Sequence, residues 1–265
     1  MFKLIFLTGD HPRHLYIARA LAKAGLLSKL IIERREHFIP KPPENISPKL
    51  VQLFTHHFAE RERIEQKMFG PAKLPSCDTV YTTYDDLNSS DIKNFLEEED
   101  PDLFLTYGCH KLTQETLEAV DGHKWNCHGG LSPWYKGAIT HFWPSYMLEP
   151  QMTGMTVHEL TQELDAGDVV HQCTAPLVAG DSLHQLGARA VVQLAEELPT
   201  LINLLKKKGA LPTHKHKTNG MLWRSSAWRA DHLSLIYEHY GDKIVDHYLE
   251  GNLIQSEPKI YRQFD

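Results

Sequence analysis

Two residues with complementary hydrogen-bonding chemistry lie close together near the middle of the chain. Asn126 and His128 are two positions apart in the segment NCHGG, which follows a short strand-like run. Side chains repeat every second residue along a strand, so this spacing puts the amide and the imidazole on one face of a strand end. Both groups can donate hydrogen bonds to an oxygen on which negative charge develops. The pair suits attack on a carbonyl group, although the same residues could equally cap the strand end and bond a turn.

A carboxylate follows in the segment LDAGD, which contains Asp165. Alternating hydrophobicity on either side of it, in residues 154–160 and 168–173, predicts two antiparallel strands joined by a loop over residues 161–167. A carboxylate in such a loop can hold a neighbouring imidazole and raise its pKa. We therefore expect Asp165 to keep His128 cationic near neutral pH.

The elements that must position these residues predict a parallel sheet. A buried strand over residues 3–8, a helix over 14–24 and a strand over 29–33 form a βαβ unit, which is right-handed in nearly all proteins. Further strands are predicted at 79–81, 102–107 and 124–127. The fold class is therefore α/β, with a Rossmann-like, mostly parallel sheet flanked by helices. The loop after the first strand, GDHPRH, lacks the glycines of a dinucleotide-binding fingerprint.

Helical periodicity accounts for most of the remaining chain. The predicted helices cover residues 48–70, 90–99, 112–120, 181–208, 231–240 and 242–249. Asp181 is the predicted cap of the long fourth helix, and Gly209 is its predicted end. The last ~50 residues are too few for a core of their own. We predict a catalytic domain over residues 1–208 and a small helical C-terminal extension over 209–265.

Composition excludes several classes of function. The 265 residues are 42% hydrophobic and 23% charged, with a net charge of −6, so charge alone does not draw the protein to nucleic acid. No apolar run reaches the ~20 residues of a membrane span, and the first strand does not read as a signal peptide. Four cysteines without paired spacing predict reduced thiols and a cytoplasmic location. The 17 histidines are scattered, and we expect no metal site.

The segment from Asn126 to Gly137, NCHGGLSPWYKG, resembles the pattern N-x-H-x-S-L-L-P-x-Y-R-G of the folate-dependent formyltransferase family. TGMTVH followed by LDAGD resembles the second signature of that family. The resemblance covers roughly residues 1–208, and the departures are Gly130, Ser132 and Lys136. The family includes glycinamide ribonucleotide, methionyl-tRNA and sugar N-formyltransferases. The resemblance implies transfer of a formyl group from 10-formyltetrahydrofolate to an amine.

The resemblance also implies roles for individual residues. Asn126 and protonated His128 stabilise an oxyanion, while Asp165 holds His128 and relays a proton. The pterin head of the folate co-substrate lies between two loops, whose residues here are Tyr107, Gly108, Cys109, His110, Lys111, Leu112, Thr161, Gln162, Glu163, Leu164 and Asp168. His158 matches a family position and is either substrate-binding or a satisfied buried histidine.

The acceptor is a small-molecule amine in this interpretation. The first loop lacks a glycine-rich phosphate cradle, which argues against glycinamide ribonucleotide, and the charge and the short C-terminal region argue against methionyl-tRNA. Arg13 and His14, at the start of a helix, could receive a phosphate or carboxylate. The expected acceptor is therefore a nucleotide-linked amino sugar or a similar small amine. The aromatic residues of the C-terminal region, Trp223, Tyr237 and Tyr240, are either stacking surfaces for a base or core residues. A homodimer is possible. Hydrolysis of 10-formyltetrahydrofolate is the main alternative activity.

Overall fold

A computed structural model describes residues 2–34, 39–163, 165–215 and 220–265, and a seven-stranded sheet dominates it. The strands in chain order are β1 Leu4–Gly9, β2 Lys29–Glu33, β3 Asp78–Thr82, β4 Leu103–Tyr107, β5 His123–His128, β6 Tyr135–Gly137, β7 Gly154–Glu159, β8 Val169–Thr174 and β9 Met221–Trp223. The main sheet has the order β3-β2-β1-β4-β5-β7-β8, and β6 pairs with β9 apart from it.

The main sheet is parallel from β3 to β5, and only β7 and β8 run antiparallel. Parallel strands are buried on both faces, and β1, β2 and β4 are accordingly almost continuous apolar runs. The predicted mostly parallel α/β fold is therefore confirmed. The predicted antiparallel pair that flanks Asp165 is confirmed as well.

Helices cover both faces of the sheet and extend beyond it. Their bounds are α1 Pro12–Lys23, α2 Pro48–Phe69, α3 Ser90–Glu99, α4 Gln114–Glu118, α5 Trp143–Tyr146, α6 Leu183–Lys208, α7 His232–Ser234 and α8 Ile244–Leu249. One hydrophobic core packs α1 and α6 against the sheet, and a second core packs α3 and α4 against its other face. In the described ranges, no helix combines the length and the hydrophobicity needed to cross a membrane.

The long helix α6 begins differently from the prediction. Its cap is Ser182, whose hydroxyl accepts a hydrogen bond from the Gln185 amide at 3.2 Å, while Gln185 Oε1 accepts one from the Ser182 amide. Asp181 instead accepts a hydrogen bond from the Arg189 guanidinium at 3.0 Å. The prediction of Asp181 as the cap was wrong because its carboxylate pairs with Arg189, about two helical turns further on.

The C-terminal region packs onto the rest of the chain. Its predicted helix over 231–240 is divided into α7 and a π-helical turn, Leu235–His239. Leu233 and Ile236 join a third core with residues around α5, and β9 pairs with β6. Trp223 stacks on Trp143, with ring centroids 4.4 Å apart, so it belongs to this core. The domain boundary after residue 208 stays a prediction.

The helix α2 is anchored beside α1. The Arg19 guanidinium donates hydrogen bonds to the carbonyl oxygens of Phe69, at 2.5 Å, and of Lys73, at 2.9 Å. These bonds satisfy backbone groups at and beyond the last turn of α2, which have no partner within the helix. The helix is thereby fixed over the carboxyl ends of the strands, where the catalytic candidates lie.

Candidate active site

A cavity of about 500 Å³ lies at the carboxyl ends of β4 and β5. Loops after these strands form its floor, and α2 and the first turns of α6 form its walls. This is the edge at which open parallel sheets bind ligands. The predicted residues that line it are Arg13, His14, Tyr107, Gly108, Cys109, His110, Lys111, Leu112, Asn126, His128, His158, Thr161, Gln162, Glu163 and Asp165.

The register of three adjacent strands holds Asn126 in the cavity. Thr106 on β4 and His158 on β7 are its direct neighbours across the sheet. Thr106 Oγ1 donates to Asn126 Oδ1 at 2.8 Å, and Asn126 Nδ2 lies 3.1 Å from His158 Nε2. The amide therefore points its nitrogen, a donor, along the cavity wall.

His158 orients the Asn126 amide. Its Nδ1–H donates to the Glu159 carbonyl oxygen at 2.7 Å, which leaves the lone pair of Nε2 to accept from Asn126. The residue is only 2% exposed. These contacts are those of a buried histidine in which both ring nitrogens have hydrogen-bond partners. A direct contact of His158 with an acceptor stays a prediction.

His128 lies between a carbonyl oxygen and a carboxylate. Its Nε2–H donates to the Tyr135 carbonyl oxygen at 2.8 Å, and Nδ1 faces Asp165 Oδ2 at 3.5 Å. Burial lowers the pKa of His128, and Asp165 and the Tyr135 carbonyl only partly oppose that effect. The expectation that His128 stays cationic near neutral pH was therefore wrong. The cost of burying an imidazolium exceeds the attraction of a single carboxylate.

Asp165 is an ionised, buried carboxylate held in a turn. Burial alone would raise its pKa, but His128, His158 and a hydrogen bond from the Gly137 amide together lower the pKa to about 2. Asp165 Oδ1 lies 3.4 Å from His158 Nε2. The backbone of Asp165 has a φ of 48°, a left-handed conformation that aspartate tolerates better than most residues. The carboxylate thus lies close to both histidines, at the loop after β7.

His14 fills the space between two strand ends. A Cβ added to Gly9 would lie 2.7 Å from His14 Nδ1, and one added to Gly108 would lie 2.4 Å from His14 Nε2. The ring also packs edge-on against Tyr107, with centroids 4.8 Å apart. A side chain at either position would have to displace the imidazole, so glycine leaves room for His14 at both strand ends. A contact between His14 and a substrate stays a prediction.

The loop after β4 is tied to the end of β2. The His110 amide donates to Glu33 Oε2 at 3.0 Å, and His110 Nδ1 also contacts Glu33 Oε1. Glu33 is completely buried. Glu33 was not predicted as part of the site, although a carboxylate that ends an apolar strand is a signal of a buried partner. The backbone of residues 107–112 is thereby held facing the cavity.

The second predicted folate loop contributes only in part. Thr161, Gln162 and Glu163 are exposed at the rim of the cavity. Leu164 lies outside the described residues. Asp168 does not line the cavity, because its carbonyl oxygen pairs with the Glu159 amide and its carboxylate lies 3.5 Å from Thr213 Oγ1. A folate contact from Asp168 is not supported by this geometry.

Arg13, which was predicted as a substrate-binding residue, forms the opposite wall with several side chains that were not predicted. Arg13 Nη2 pairs with Glu65 Oε1 at 2.9 Å, and Arg61 lies one helical turn before Glu65 on α2. The rings of His57 and His184 lie 4.5 Å apart, and burial lowers the pKa of His57 to about 2 and that of His184 to about 3. The wall therefore combines guanidinium cations with neutral imidazoles, and Trp228 of the C-terminal region closes it.

Comparison with known proteins places this geometry in a family. The sequence profile described as "Formyl transferase" matches residues 43–202. A methionyl-tRNA formyltransferase of Prochlorococcus marinus (strain MIT 9312) is 30% identical over 131 residues, which are 49% of this chain and 35% of that protein. The chain thus matches about a third of the length of this curated relative.

Solved structures share the fold at low sequence identity. A phosphoribosylglycinamide formyltransferase from Anaplasma phagocytophilum has a TM-score of 0.58 at 19% identity, covering 84% of this chain and 98% of that one. A sugar N-formyltransferase from Shewanella sp FDAARGOS_354 has a TM-score of 0.54 at 15% identity, and the match covers 88% of this chain and 87% of that one. The formyltransferase PseJ from Anoxybacillus kamchatkensis, solved with UDP-4,6-dideoxy-4-formamido-L-AltNAc and tetrahydrofolate, has a TM-score of 0.51 at 14% identity, covering 91% and 95%.

The profile match spans more than half of the chain and includes Asn126, His128 and Asp165. The parallel sheet and the position of these residues at its carboxyl edge agree with it. The chain belongs to the formyl transferase family.

Proposed function

We propose that the chain transfers the formyl group of 10-formyltetrahydrofolate to the amine of a small acceptor, with a nucleotide-linked amino sugar or a similar small amine as the favoured acceptor. The observation that carries this proposal is the convergence of Asn126, His128 and Asp165 in one cavity, with Nδ1 of His128 3.5 Å from Asp165 Oδ2. Membership of the family supports the class of reaction. A cytoplasmic location and a homodimer remain proposals.

The cavity has the features that a flat heterocycle requires. Leu112, Leu160 and Val191 offer apolar surface for ring faces, and the backbone of residues 107–112 offers hydrogen-bonding groups for ring edges. When bound, the folate co-substrate supplies the formyl group. The residues present therefore fit its pterin head between the loop after β4 and the exposed rim at residues 161–163.

Asn126 is the proposed oxyanion donor. The acceptor nitrogen attacks the formyl carbon, the carbonyl π bond opens, and negative charge collects on the formyl oxygen. A fixed N–H donor in a buried site stabilises that charge without reorganising. Thr106 and His158 already hold the Asn126 amide, so its nitrogen needs no rearrangement when the charge develops.

His128 and Asp165 are the proposed proton-handling pair. The Nε2–H of His128 is engaged with Tyr135, so Nδ1 is the nitrogen that can take up the proton released by the attacking amine. Asp165, already ionised, offsets the charge of the resulting imidazolium. The cation thus forms next to the developing oxyanion, and the bond from the formyl carbon to N10 of the folate breaks as that nitrogen receives a proton.

A panel of amines tests this proposal. The protein is incubated with 10-formyltetrahydrofolate and, separately, with nucleotide-linked amino sugars, free amino sugars, glycinamide ribonucleotide and methionyl-tRNA. We expect tetrahydrofolate release that depends on the amine, together with a formylated product of a nucleotide-linked amino sugar detected by mass spectrometry. Release at the same rate without any amine would instead identify a hydrolase.

A further inference from the structure

Two polar residues of the antiparallel strands lie in one row with His128 across the sheet. His128 on β5 pairs with Thr156 on β7, and Thr156 pairs with Gln172 on β8. Directly paired residues project their side chains to the same face of a sheet. Thr156 is completely buried, and Gln172 is only 3% exposed. Buried polar side chains of this kind are expected to have hydrogen-bond partners, and those partners connect the row to the backbone around His128.

The Gln172 amide joins the C-terminal segment to the loop after β5. Its Nε2 donates to the Ser132 carbonyl oxygen at 2.7 Å and to Thr156 Oγ1 at 3.0 Å. Its Oε1 accepts from the Tyr261 amide at 3.1 Å. A carbonyl oxygen can only accept and a backbone amide can only donate, so these partners fix which end of the Gln172 amide faces the loop.

The Thr156 hydroxyl bonds the same loop at two further places. Thr156 Oγ1 donates to the Gly130 carbonyl oxygen at 2.7 Å and accepts from the Ser132 amide at 3.0 Å. With the bond from Gln172 it donates once and accepts twice, which is the full capacity of a hydroxyl. Thr156 and Gln172 therefore fix three backbone groups of the loop over residues 129–135 against the sheet.

This loop carries the backbone group that holds His128. The Tyr135 amide bonds the Leu131 carbonyl oxygen at 2.9 Å, and the Tyr135 carbonyl oxygen accepts from His128 Nε2 at 2.8 Å. On the other side of the ring, Nδ1 faces Asp165 Oδ2 at 3.5 Å. Both oxygens favour a proton on the nitrogen that they face, and a neutral imidazole carries only one. The nearer oxygen, that of Tyr135, therefore selects the Nε2–H tautomer.

We propose that Gln172 is a positioning residue for His128. Together with Thr156, it keeps the loop over residues 129–135 in the place where the Tyr135 carbonyl selects the Nε2–H tautomer. This role rests on the proposed function, in which Nδ1 of His128 takes up the proton of the attacking amine. When the loop loosens, the carbonyl moves away and the neighbouring carboxylate draws the proton to Nδ1. The ring then cannot accept a proton at the nitrogen that the reaction uses.

NMR of the ring nitrogens, in protein with isotope-labelled histidine, tests this role without any substrate. The signals of His128 are those that His128→Gln removes. We expect the Nε2–H tautomer in the wild type at about pH 8, where the ring is neutral. Gln172→Met has a side chain of similar length without the amide, and it should shift the tautomer toward Nδ1–H. Gln193→Met is the matched control and should match the wild type, because Gln193 lies on α6 and bonds Glu197 at 2.6 Å.

Two substitutions of Thr156 separate the hydrogen bonds from the packing. Thr156→Val keeps the shape but removes the hydroxyl, so it should also shift the tautomer toward Nδ1–H, and it serves if Gln172→Met does not fold. Thr156→Ser keeps the hydroxyl and loses a methyl group, so it should keep the wild-type tautomer. An unchanged tautomer in both Gln172→Met and Thr156→Val, or Nδ1–H in the wild type, would overturn the proposal.

Kinetics separates this proposal from the proposed function. Gln172→Met should lower kcat about 10-fold, the equivalent of one neutral hydrogen bond, and leave KM for 10-formyltetrahydrofolate unchanged. If its tautomer shifts but the wild type formylates no amine, the positioning of His128 stands and the proposed function fails. If amines are formylated and Gln172→Met changes neither the tautomer nor kcat, the function stands and the positioning role fails. A shifted tautomer with undiminished kcat would also overturn the role.

Discussion

Two opposing effects act on the protonation of His128 in the candidate active site. Burial favours its neutral form, and Asp165 favours the cation. Neither ring nitrogen is idle, because Nε2 donates to Tyr135 and Nδ1 faces the carboxylate. A neutral resting state makes His128 able to accept a proton, and the ionised Asp165 makes that acceptance favourable. The residue can therefore change charge during the reaction instead of holding a fixed one.

Asp165→Asn should shift the pH dependence of kcat toward acid. The variant keeps the shape of the side chain but removes the charge that raises the pKa of His128, so this pKa falls further below its usual value. Because the proposed reaction begins with a neutral His128 that accepts a proton, the acid limb of the kcat profile should then lie at a lower pH than in the wild type. Profiles of kcat against pH at saturating folate and amine check this. Limbs that coincide would contradict the role given to Asp165.

Asn126→Ala should lower kcat by about 10²–10³, the loss typical of one oxyanion-stabilising donor. His128→Ala should lower kcat by about 10²–10⁴, the loss typical of one general base. The KM for 10-formyltetrahydrofolate should change little, because the loop after β4 and the rim provide its binding surface. His123→Ala is a matched control on the same strand, since His123 bonds Gly209 away from the cavity. A large rise in KM with unchanged kcat would mean that Asn126 and His128 build the pocket.

At the scale of elements, register and close packing position the candidate catalytic residues. Adjacent strands align Thr106, Asn126 and His158 in one row, and His14 fills the gap between Gly9 and Gly108. The sequence analysis found the strands because apolar runs and alternation mark them. The alignment of these three residues across the strands could not be predicted, because the register between strands is set by long-range packing that no local pattern encodes.

The sign of the pKa shift of His128 and the contribution of α2 were missed for related reasons. The burial of His128 depends on loops that close over the strand ends, and spacing along the chain does not report this. Helix α2 was predicted as an excursion from the sheet, with an apolar stripe, but its cavity-facing residues Arg61 and Glu65 read as ordinary surface charges. The docking of α2, through the Arg19 hydrogen bonds and through the burial of Ile64 and Phe69 in the core, brings them to the site.

Gly108→Ala should destabilise the fold more than Gly25→Ala. Both glycines have positive φ, 62° and 68°, so both variants incur a backbone cost of about 1–2 kcal/mol. A Cβ at residue 25 meets open space, whereas one at residue 108 displaces the His14 ring and should add about 1–3 kcal/mol. Urea unfolding measures both. Equal losses would show that His14 adapts freely and does not fix the loop.

At the scale of the whole molecule, the C-terminal region is part of the structure around the site. Its last segment pairs with β8 through a hydrogen bond from the Gln172 amide to the Tyr261 carbonyl oxygen at 2.7 Å. Arg262 forms a salt bridge with Glu197 on α6 at 3.0 Å. Trp228 reaches the catalytic cavity, and Tyr237 accepts or donates a hydrogen bond at His57 Nδ1. The extension thus supports the wall that faces the acceptor.

Acid should destabilise the molecule through its buried neutral histidines. The pKa of His57 is lowered to about 2 in the folded state, so between that value and its unfolded pKa near 6.5 the unfolded chain binds more protons. The free energy of unfolding therefore falls as pH falls below about 6.5, by up to ~1.4 kcal/mol per pH unit for one such histidine. Replacing His57 by Phe should reduce this slope between pH 6 and 5. An unchanged slope would mean that His57 titrates normally.

The proposed function requires that Asn126 supports formyl transfer to an amine in this cavity. The most direct test is a single-turnover reaction with enzyme in excess over 10-formyltetrahydrofolate, with an amine that the panel identifies, followed by mass spectrometry of the formylated amine. We expect transfer by the wild type and by His123→Ala, and transfer slowed about 10²–10³-fold in Asn126→Ala with folate binding intact. Undiminished transfer by Asn126→Ala, or formate in place of a formylated amine with the wild type, would contradict the claim.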